Sequence, residues 1–345
     1  MTSNGRGGRA RRATAADVAR AAGVSTATVS LVVNGKDSRR VLPATRERVL
    51  AEARKLSYRV DRRASGLVTG RSGIIGFIAP DVANPFFAAV QMGLLRELQD
   101  RCQLLAVATE IGRSVARANL DQLFDLGVDG IVVASDVAGV LPRSPPVPVV
   151  ILDFPGASKR FVRVNFDLEE GSDALADHLL GLGHRRVAYL EAESDSPTHE
   201  APTFRVRREA FEARMRAADG VVVHAGSLTD VTPARDALRE RWAAWDEQDV
   251  TAIVCATEVQ AYGVLGGLRS LGVRVPRRVS LAAYDDLPGA QIMEPALTCV
   301  HLDADELGRS AAAELLQVMA GEARAREIVI PASLAIRGST AKRRS

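Results

Sequence analysis

From residue 74 to residue 330 the sequence alternates short, largely apolar runs with longer amphipathic stretches. The runs fall at 74–79, 103–108, 130–134, 147–152, 161–164, 187–190, 221–224, 252–256, 279–283 and 328–330. A run apolar at successive positions has no side to turn toward water, so these read as strands covered on both faces. Stretches with helical periodicity lie between them, at about 86–100, 114–126, 168–182, 203–218, 232–245, 258–271 and 304–320. Strand and helix in alternation predict an α/β fold with parallel sheets between helical layers. About ten strands exceed one mononucleotide-type unit, so the region reads as two doubly wound lobes.

Nothing of this texture precedes residue 73. Residues 1–72 hold 16 Lys and Arg against 5 Asp and Glu, whereas the remaining 273 residues hold 29 against 37. A basic head is joined to an acidic body, and the net charge of +3 over 345 residues hides the division. A head of that sign suits a polyanion. Arg6, Arg9, Arg11 and Arg12 lie among small residues and make 1–13 a flexible basic arm able to touch phosphates.

Order is expected from Thr14. Thr14-Ala-Ala-Asp17 fits a capping box, with the acid in the positive first turn of a helix that runs to about Ala22. Val18, Ala19 and Ala22 share its inner face. Gly23 supplies the positive φ of a tight turn. Ser25 caps a second helix from Thr26 to about Val33, with Val29 and Val33 inward, and Asn34-Gly35 ends it. A third helix runs from Pro43 to about Leu56, with Val49, Leu50, Ala53 and Leu56 inside. Three short helices with a glycine turn between the first two make a helix-turn-helix.

The wording of this head is more specific than its geometry. Asp17-Val-Ala-x-x-Ala-Gly-Val-Ser-Thr-Ala-Thr-Val-Ser30, then Val-Asn-Gly35 and Thr45-Arg-Glu-Arg-Val49, resembles the head of the LacI/GalR (lactose-repressor) family almost continuously. The resemblance implies a sequence-specific transcriptional regulator, a repressor under small-molecule control. Residues 14–58 would bind double-stranded DNA, 59–72 would form a hinge, and 73–345 would bind effector and dimerise. The second helix would enter the major groove amino end first. Thr26 and Ala27 then hold the first two recognition positions and Leu31 a later one, where many relatives carry Arg. Neither Ala27 nor Leu31 can donate a hydrogen bond, so readout there is expected to be apolar, as against a thymine methyl. Thr26, Thr28, Ser30, Asn34, Thr45 and Arg46 are the candidates for phosphate or base-edge contact. Leu42 stands where relatives usually place Ser before the third helix. In the hinge, Ala64 and Leu67 match the segment whose leucine wedges into the minor groove, with Arg62 and Arg63 adding phosphate charge. Gly66 departs from that pattern and should weaken the hinge helix by about 1 kcal/mol.

The body carries the same resemblance in Asn84-Pro-Phe-Phe87, Leu182-Gly-His-Arg-Arg-Val187, Tyr284-Asp-Asp286 and Leu334-Ala-Ile-Arg-Gly-Ser-Thr340. It implies a periplasmic-binding-protein type I fold. By the family layout, lobe one is 73–165 with 300–325, and lobe two is 166–299 with 326–341. Ligands of open α/β sheets sit beyond the carboxyl ends of strands. Those ends carry Asp81, Asn84, Phe86, Phe87, Asp153, Thr257, Glu258 and Asp285. Arg207 joins them because Arg207-Arg-Glu-Ala-Phe211 matches the family's Arg-x-x-Gly-Phe. Asp153, Arg207 and Asp285 would anchor a sugar-like effector, the carboxylates accepting from vicinal hydroxyls and the guanidinium donating. Phe86 or Phe87 would cover an apolar sugar face. Relatives commonly have Asn-Asp at Thr257-Glu258, and this departure leaves open a DNA-binding regulator without a small effector.

Other classes have little support. No GxxxxGK[ST], GxGxxG, HExxH or GxSxG occurs, so no enzyme, cofactor or metal site is expected. Cys102, Cys255 and Cys299 are far apart and read as thiols in a reducing compartment. No apolar run approaches the ~20 residues of a membrane span, and no secretory h-region opens the chain. A stand-alone solute receptor would fit the body but not the head. No leucine heptad follows Arg337, so no tetramerising coil is expected. The expectation is a cytoplasmic homodimer on a pseudo-palindromic operator.

Overall fold

The computed structural model describes residues 13–33, 41–58, 71–81, 84–108, 113–134, 139–193 and 201–343. The chain divides into two compact units, residues 1–72 and 73–345.

In the first unit, α1 (Ala15–Ala22), α2 (Thr26–Val33) and α3 (Pro43–Lys55) pack around one small core. Thr14 Oγ1 accepts the Asp17 N–H at 3.3 Å while Thr14 N–H donates to Asp17 Oδ2 at 2.9 Å, closing the capping box. Gly23 takes φ 65° and ends α1. Ser25 Oγ accepts the Thr28 N–H at 3.1 Å and starts α2. Arg48 Nε on α3 donates to the Ala22 carbonyl at 2.9 Å, which satisfies an acceptor left over at the end of α1. Val18, Ala22, Val29, Val32, Val49 and Ala53 are buried. The inward valine of the last α2 turn is therefore Val32, not Val33, which is half-buried. That helix is too uniformly apolar for periodicity to choose between them. Leu50 is also only half-buried, and Leu56, just past the end of α3, is exposed.

The second unit begins with β1 (Ile74–Ala79), α4 (Pro85–Leu98), β2 (Gln103–Ala108), α5 (Arg113–Asp125), β3 (Gly130–Ala134), β4 (Val149–Leu152) and β5 (Val162–Phe166). There follow α6 (Leu168–Gly181), β6 (Arg186–Glu193), α7 (Pro202–Ala217), β7 (Val221–Leu228), α8 (Val231–Glu247), β8 (Ala252–Cys255), α9 (Glu258–Ser270) and β9 (Ser280–Asp285). It ends with α10 (Pro288–Ile292), β10 (Thr298–His301), α11 (Ala304–Ala320), β11 (Glu327–Ile330) and β12 (Ser333–Ala335). One six-stranded sheet has the order β11-β5-β4-β3-β1-β2 and is parallel throughout. The other has the order β12-β10-β9-β8-β6-β7, and only its edge strand β12 runs antiparallel to its neighbour. Central strands β3, β4, β5 and β9 are buried along their whole length; β3 and β4 are unbroken apolar runs, whereas β5 buries Arg163 and Asn165 by hydrogen-bonding both to Glu327, and edge strand β2 is half-exposed.

Two features differ from expectation. β10 and β12 were not legible as apolar runs. The lobe boundaries also shift, because β11 pairs with β5, placing Ile328 opposite Val164. Residues 327–330 thus belong to lobe one, not lobe two, and residues 300 and 301 on β10 belong to lobe two. The chain crosses between lobes at 166–168, 301–304 and 330–333. Two of these crossings touch, since the Asp167 N–H donates to the Ile330 carbonyl at 2.9 Å.

In lobe one, α4 and α11 cross backbone against backbone. A Cβ at Gly93 would lie 2.0 Å from the Asp305 carbonyl oxygen, and one at Gly308 would lie 2.1 Å from that of Val90. Only glycine fits either position.

Candidate effector site and DNA-binding face

Both sheets end toward the gap between the lobes, and the carboxyl ends of β4, β8 and β9 deliver polar side chains there. Asp153 follows β4 and Asp285 closes β9, with φ values of 49° and 95°. Left-handed backbone is unfavourable for a residue with a Cβ, and such strain gathers where a side chain must be aimed. Arg207 stands on α7, one turn beyond Thr203, so both project from the same helix face.

These four residues close on one another. Arg207 Nη1 donates to Asp285 Oδ1 at 3.1 Å and to the Ala256 carbonyl at 3.0 Å. Thr203 Oγ1 on lobe two donates to Asp153 Oδ1 on lobe one at 2.9 Å. The Arg207 guanidinium also lies over the Phe204 and Tyr284 rings, at 5.3 and 5.1 Å from their centroids. Its Nε, though buried, has no hydrogen-bond partner among the described residues. Asp153, Arg207 and Asp285 are 2–4% exposed. Burial pushes the Asp153 carboxyl up to about 6, against the opposing pull of Arg207 and Thr203. Burial raises Asp285 as well, opposed by the same guanidinium. The cluster therefore offers two aimed carboxylates and one fork of donors, suited to a ligand bearing adjacent hydroxyls.

Thr257 and Glu258 do different work. Thr257 Oγ1 accepts the Gln260 N–H at 3.3 Å, while Gln260 Oε1 accepts the Thr257 N–H at 3.2 Å, a capping box that starts α9. The Glu258 carboxylate accepts the Tyr262 hydroxyl and the Leu287 N–H, pinning the connection between β9 and α10. Burial, only partly offset by those donors, pushes Glu258 up to about 7. Asn84 caps α4 by accepting the Phe86 N–H at 3.0 Å. Phe86 and Phe87 pack edge to face at 5.4 Å inside the core of lobe one, and Asp81 is half-buried past β1. The two rings are 3% and 9% exposed, as closed in as the polar cluster itself. Glu258, Asp286 and Cys299 come within 4.8 Å of one another. That set is not open to a cation, because Arg337 ion-pairs with Asp286 and Tyr262 and Leu287 hold Glu258. Thr203 escaped the sequence reading, although its place four residues before Arg207 on a helix opened by Pro202 was a usable signal.

On the head, Thr26, Ala27 and Ser30 are exposed on α2, and Leu31 is half-buried beside them. Thr28 is half-buried, its hydroxyl 3.0 Å from that of Ser25. Thr45 and Arg46 lie in the first turn of α3, half-buried and exposed respectively. Leu42 is exposed and makes no side-chain cap to α3. Asn34, Arg62, Arg63, Ala64 and Leu67 lie outside the described residues, as does nearly all of the basic arm.

Residues 14–61 match the family described as bacterial regulatory proteins, lacI family, and residues 176–340 match the periplasmic binding protein-like domain. The chain is 31% identical over 344 residues to the maltose regulon regulatory protein MalI of Escherichia coli K12, covering 94% of this chain and 98% of that protein. The chain belongs to the lacI family of bacterial regulatory proteins. This lacI-family protein is also 30% identical over 315 residues to the HTH-type transcriptional repressor PurR of Photobacterium profundum, covering 88% of this chain and 91% of that one. Among solved structures, the lac repressor dimer bound to operator and the anti-inducer ONPF superposes with a TM-score of 0.84 over 96% of this chain and 100% of that one. At 24% identity that likeness speaks to fold alone. The transcriptional regulator CelR–cellobiose complex superposes with a TM-score of 0.67 at 26% identity, over 95% of this chain and 100% of that one. As a lacI-family member, the chain is a DNA-binding transcriptional regulator with a helix-turn-helix head and a periplasmic-binding-protein-like body.

Proposed function

We propose that the protein is a dimeric, cytoplasmic repressor whose grip on a pseudo-palindromic operator is set by a sugar or related polyol bound between its lobes. It needs no cofactor, metal or catalytic step. The observation that carries this reading is the buried cluster of Asp153, Thr203, Arg207 and Asp285. Its internal hydrogen bonds are of the kind a polyol would replace, and one of them, Thr203 to Asp153, spans the lobes. A ligand that substitutes for that bond changes the balance between lobe arrangements by its differential affinity, and coupling of ~1–3 kcal/mol suffices for control. Thr257 and Glu258 are left out of this effector set because capping and loop-pinning occupy their side chains. For the dimer, exposed apolar side chains are available at Met92 and Leu95 on α4 and at Ile292 on α10.

The deciding experiment is a footprint of the full chain on its own promoter region, with and without a panel of sugars and nucleosides. Protection of a palindrome, relieved or strengthened by one of them, is expected; no protected palindrome would sink the repressor reading. Leu67→Ala should weaken operator binding about tenfold or more while leaving nonspecific binding within about twofold, because a wedge acts only at a kinked step. Equal losses on both DNAs would reject the wedge.

The effector site should also respond to acid. A polyol donates best to ionised Asp153, whose pKa is raised to about 6. Effector affinity is expected to rise between pH 5 and pH 7 by about tenfold, the ratio of ionised fractions across that window. A flat profile, or one unchanged by Asp153→Asn, would remove Asp153 from the ligand.

A further inference from the structure

We propose that lobe two carries, at the end opposite the effector cluster, a binding site for a small phosphorylated anion. A concavity of about 250 Å³ opens there, at the amino ends of β6, β8 and β9. The effector cluster sits at the carboxyl ends of the same sheet, so the two are separate sites.

The floor of this concavity is built and neutral. His184 is buried, with Nε2 2.9 Å from the Ala341 carbonyl and Nδ1 2.9 Å from the Thr251 hydroxyl. A carbonyl only accepts, so Nε2 carries the proton and Nδ1 receives one from Thr251. Burial holds the imidazole below its ordinary pKa, so it adds no charge of its own.

The rim is cationic. Arg277, Arg278, Lys342 and Arg343 line it against one carboxylate, Asp249. Arg343 meets Asp249, and Arg278 is held by Asp246 and by the Val250 carbonyl at 3.3 Å. Arg277 and Lys342 have no hydrogen bond or ion pair among the described residues. Lys342 and Arg343 do not hang from a loose tail, because the flanking backbone is tied down. Ala341 N–H donates to Ser280 Oγ at 3.1 Å, and Arg343 N–H donates to the Leu182 carbonyl at 2.9 Å.

Four cations on fixed backbone, in a body where acids outnumber bases 37 to 29, are a local reversal of charge. Two of the four keep carboxylate partners, Asp249 and Asp246, and Arg277 and Lys342 remain as the uncompensated charges that an anion would draw together. A phosphate group supplies about two charges and several acceptor oxygens, matching guanidinium forks and an ammonium. The concavity has room for a compact phosphorylated molecule and not for a nucleic acid duplex. Bound there, it would join the carboxyl-terminal segment to the 276–278 loop.

The test is calorimetric titration of sodium pyrophosphate into the full chain at a constant ionic strength of about 0.15 M, where diffuse surface attraction is largely screened. One saturable site per chain is expected. Arg277→Glu with Lys342→Glu should weaken it at least about tenfold, whereas Lys159→Glu with Arg160→Glu, an equal charge change on lobe one, should move it less than about twofold. Absence of saturable binding to the parent chain overturns the proposal, and so does equal weakening by the two double variants. Thermal melting checks that each variant is folded; if the Glu pair is not, Arg277→Gln with Lys342→Gln takes its place under the same criteria. None of these outcomes bears on operator binding, so this site and the repressor reading stand or fall separately.

Discussion

Arg207→Ala is expected to lower the stability of the body by about 3–5 kcal/mol, the usual result of removing one partner of a buried ion pair. The guanidinium is 2% exposed and stands between two carboxylates that are scarcely more open. Without it, Asp285 loses its 3.1 Å partner, and Asp153 loses the nearby positive charge that opposes its burial. In thermal terms the loss is on the order of 10 °C for a unit of this size. The effect has a pH signature. Both carboxylates already titrate above their ordinary range when folded, and the variant pushes them higher. A carboxyl whose folded pKa is raised binds more protons folded than unfolded, so its stabilising contribution is present at low pH and disappears as pH rises through the folded value. The deficit against the parent should therefore be smaller at pH 5 than at pH 7.5, measured by urea denaturation at both. A deficit equal at the two pH values would assign the loss to packing against Phe204 and Tyr284 instead.

Gly308→Ala is the second large effect, and its sign runs against intuition. Alanine in the middle of a helix is ordinarily worth ~1 kcal/mol over glycine. Here the new methyl would sit 2.1 Å from the Val90 carbonyl oxygen and 2.9 Å from the Leu94 nitrogen. Both are backbone atoms of α4, so no rotamer change relieves the clash, and α4 and α11 must part by roughly 1 Å to restore ordinary contact. Overpacking of this kind costs about 1–3 kcal/mol or more, and it should outweigh the gain in propensity. Gly266→Ala on α9 is the control, since nothing lies within 4 Å of its added methyl. It should stabilise by about 0.5–1 kcal/mol. If both variants raised the urea midpoint, the close crossing of α4 and α11 would be wrong.

These contrasts also mark what sequence could and could not reveal. Strands such as β3 and β4 are legible because burial on both faces leaves an unbroken apolar signature. β11 reads Glu-Ile-Val-Ile at a sheet edge, and its lobe is decided by pairing with β5, which no local pattern encodes. β10 begins with Thr298, polar yet fully buried, because its N–H and hydroxyl are both satisfied by the chain's last segment. Motif resemblance was enough to bring Asp153, Arg207 and Asp285 together, but not to recruit Thr203. Thr257-Glu-Val-Gln260 was noticed only as a departure. Its spacing is that of a capping box, which accounts for the threonine without any ligand. Nothing else in the sequence points to a regulator lacking an effector.

The three backbone crossings between the lobes have a mechanical consequence. Two bodies joined by one strand can slide, swivel and separate. Joined by three strands, two of them bonded to each other at Asp167 and Ile330, they keep one soft coordinate, rotation about the line of the tethers. Whatever free energy a ligand delivers between the lobes must appear as a change of that single angle. A repressor released by its ligand and one recruited by it then need no different parts. They differ only in which angle the ligand prefers, so a small change of side chains in the cleft is enough to reverse the sense of control.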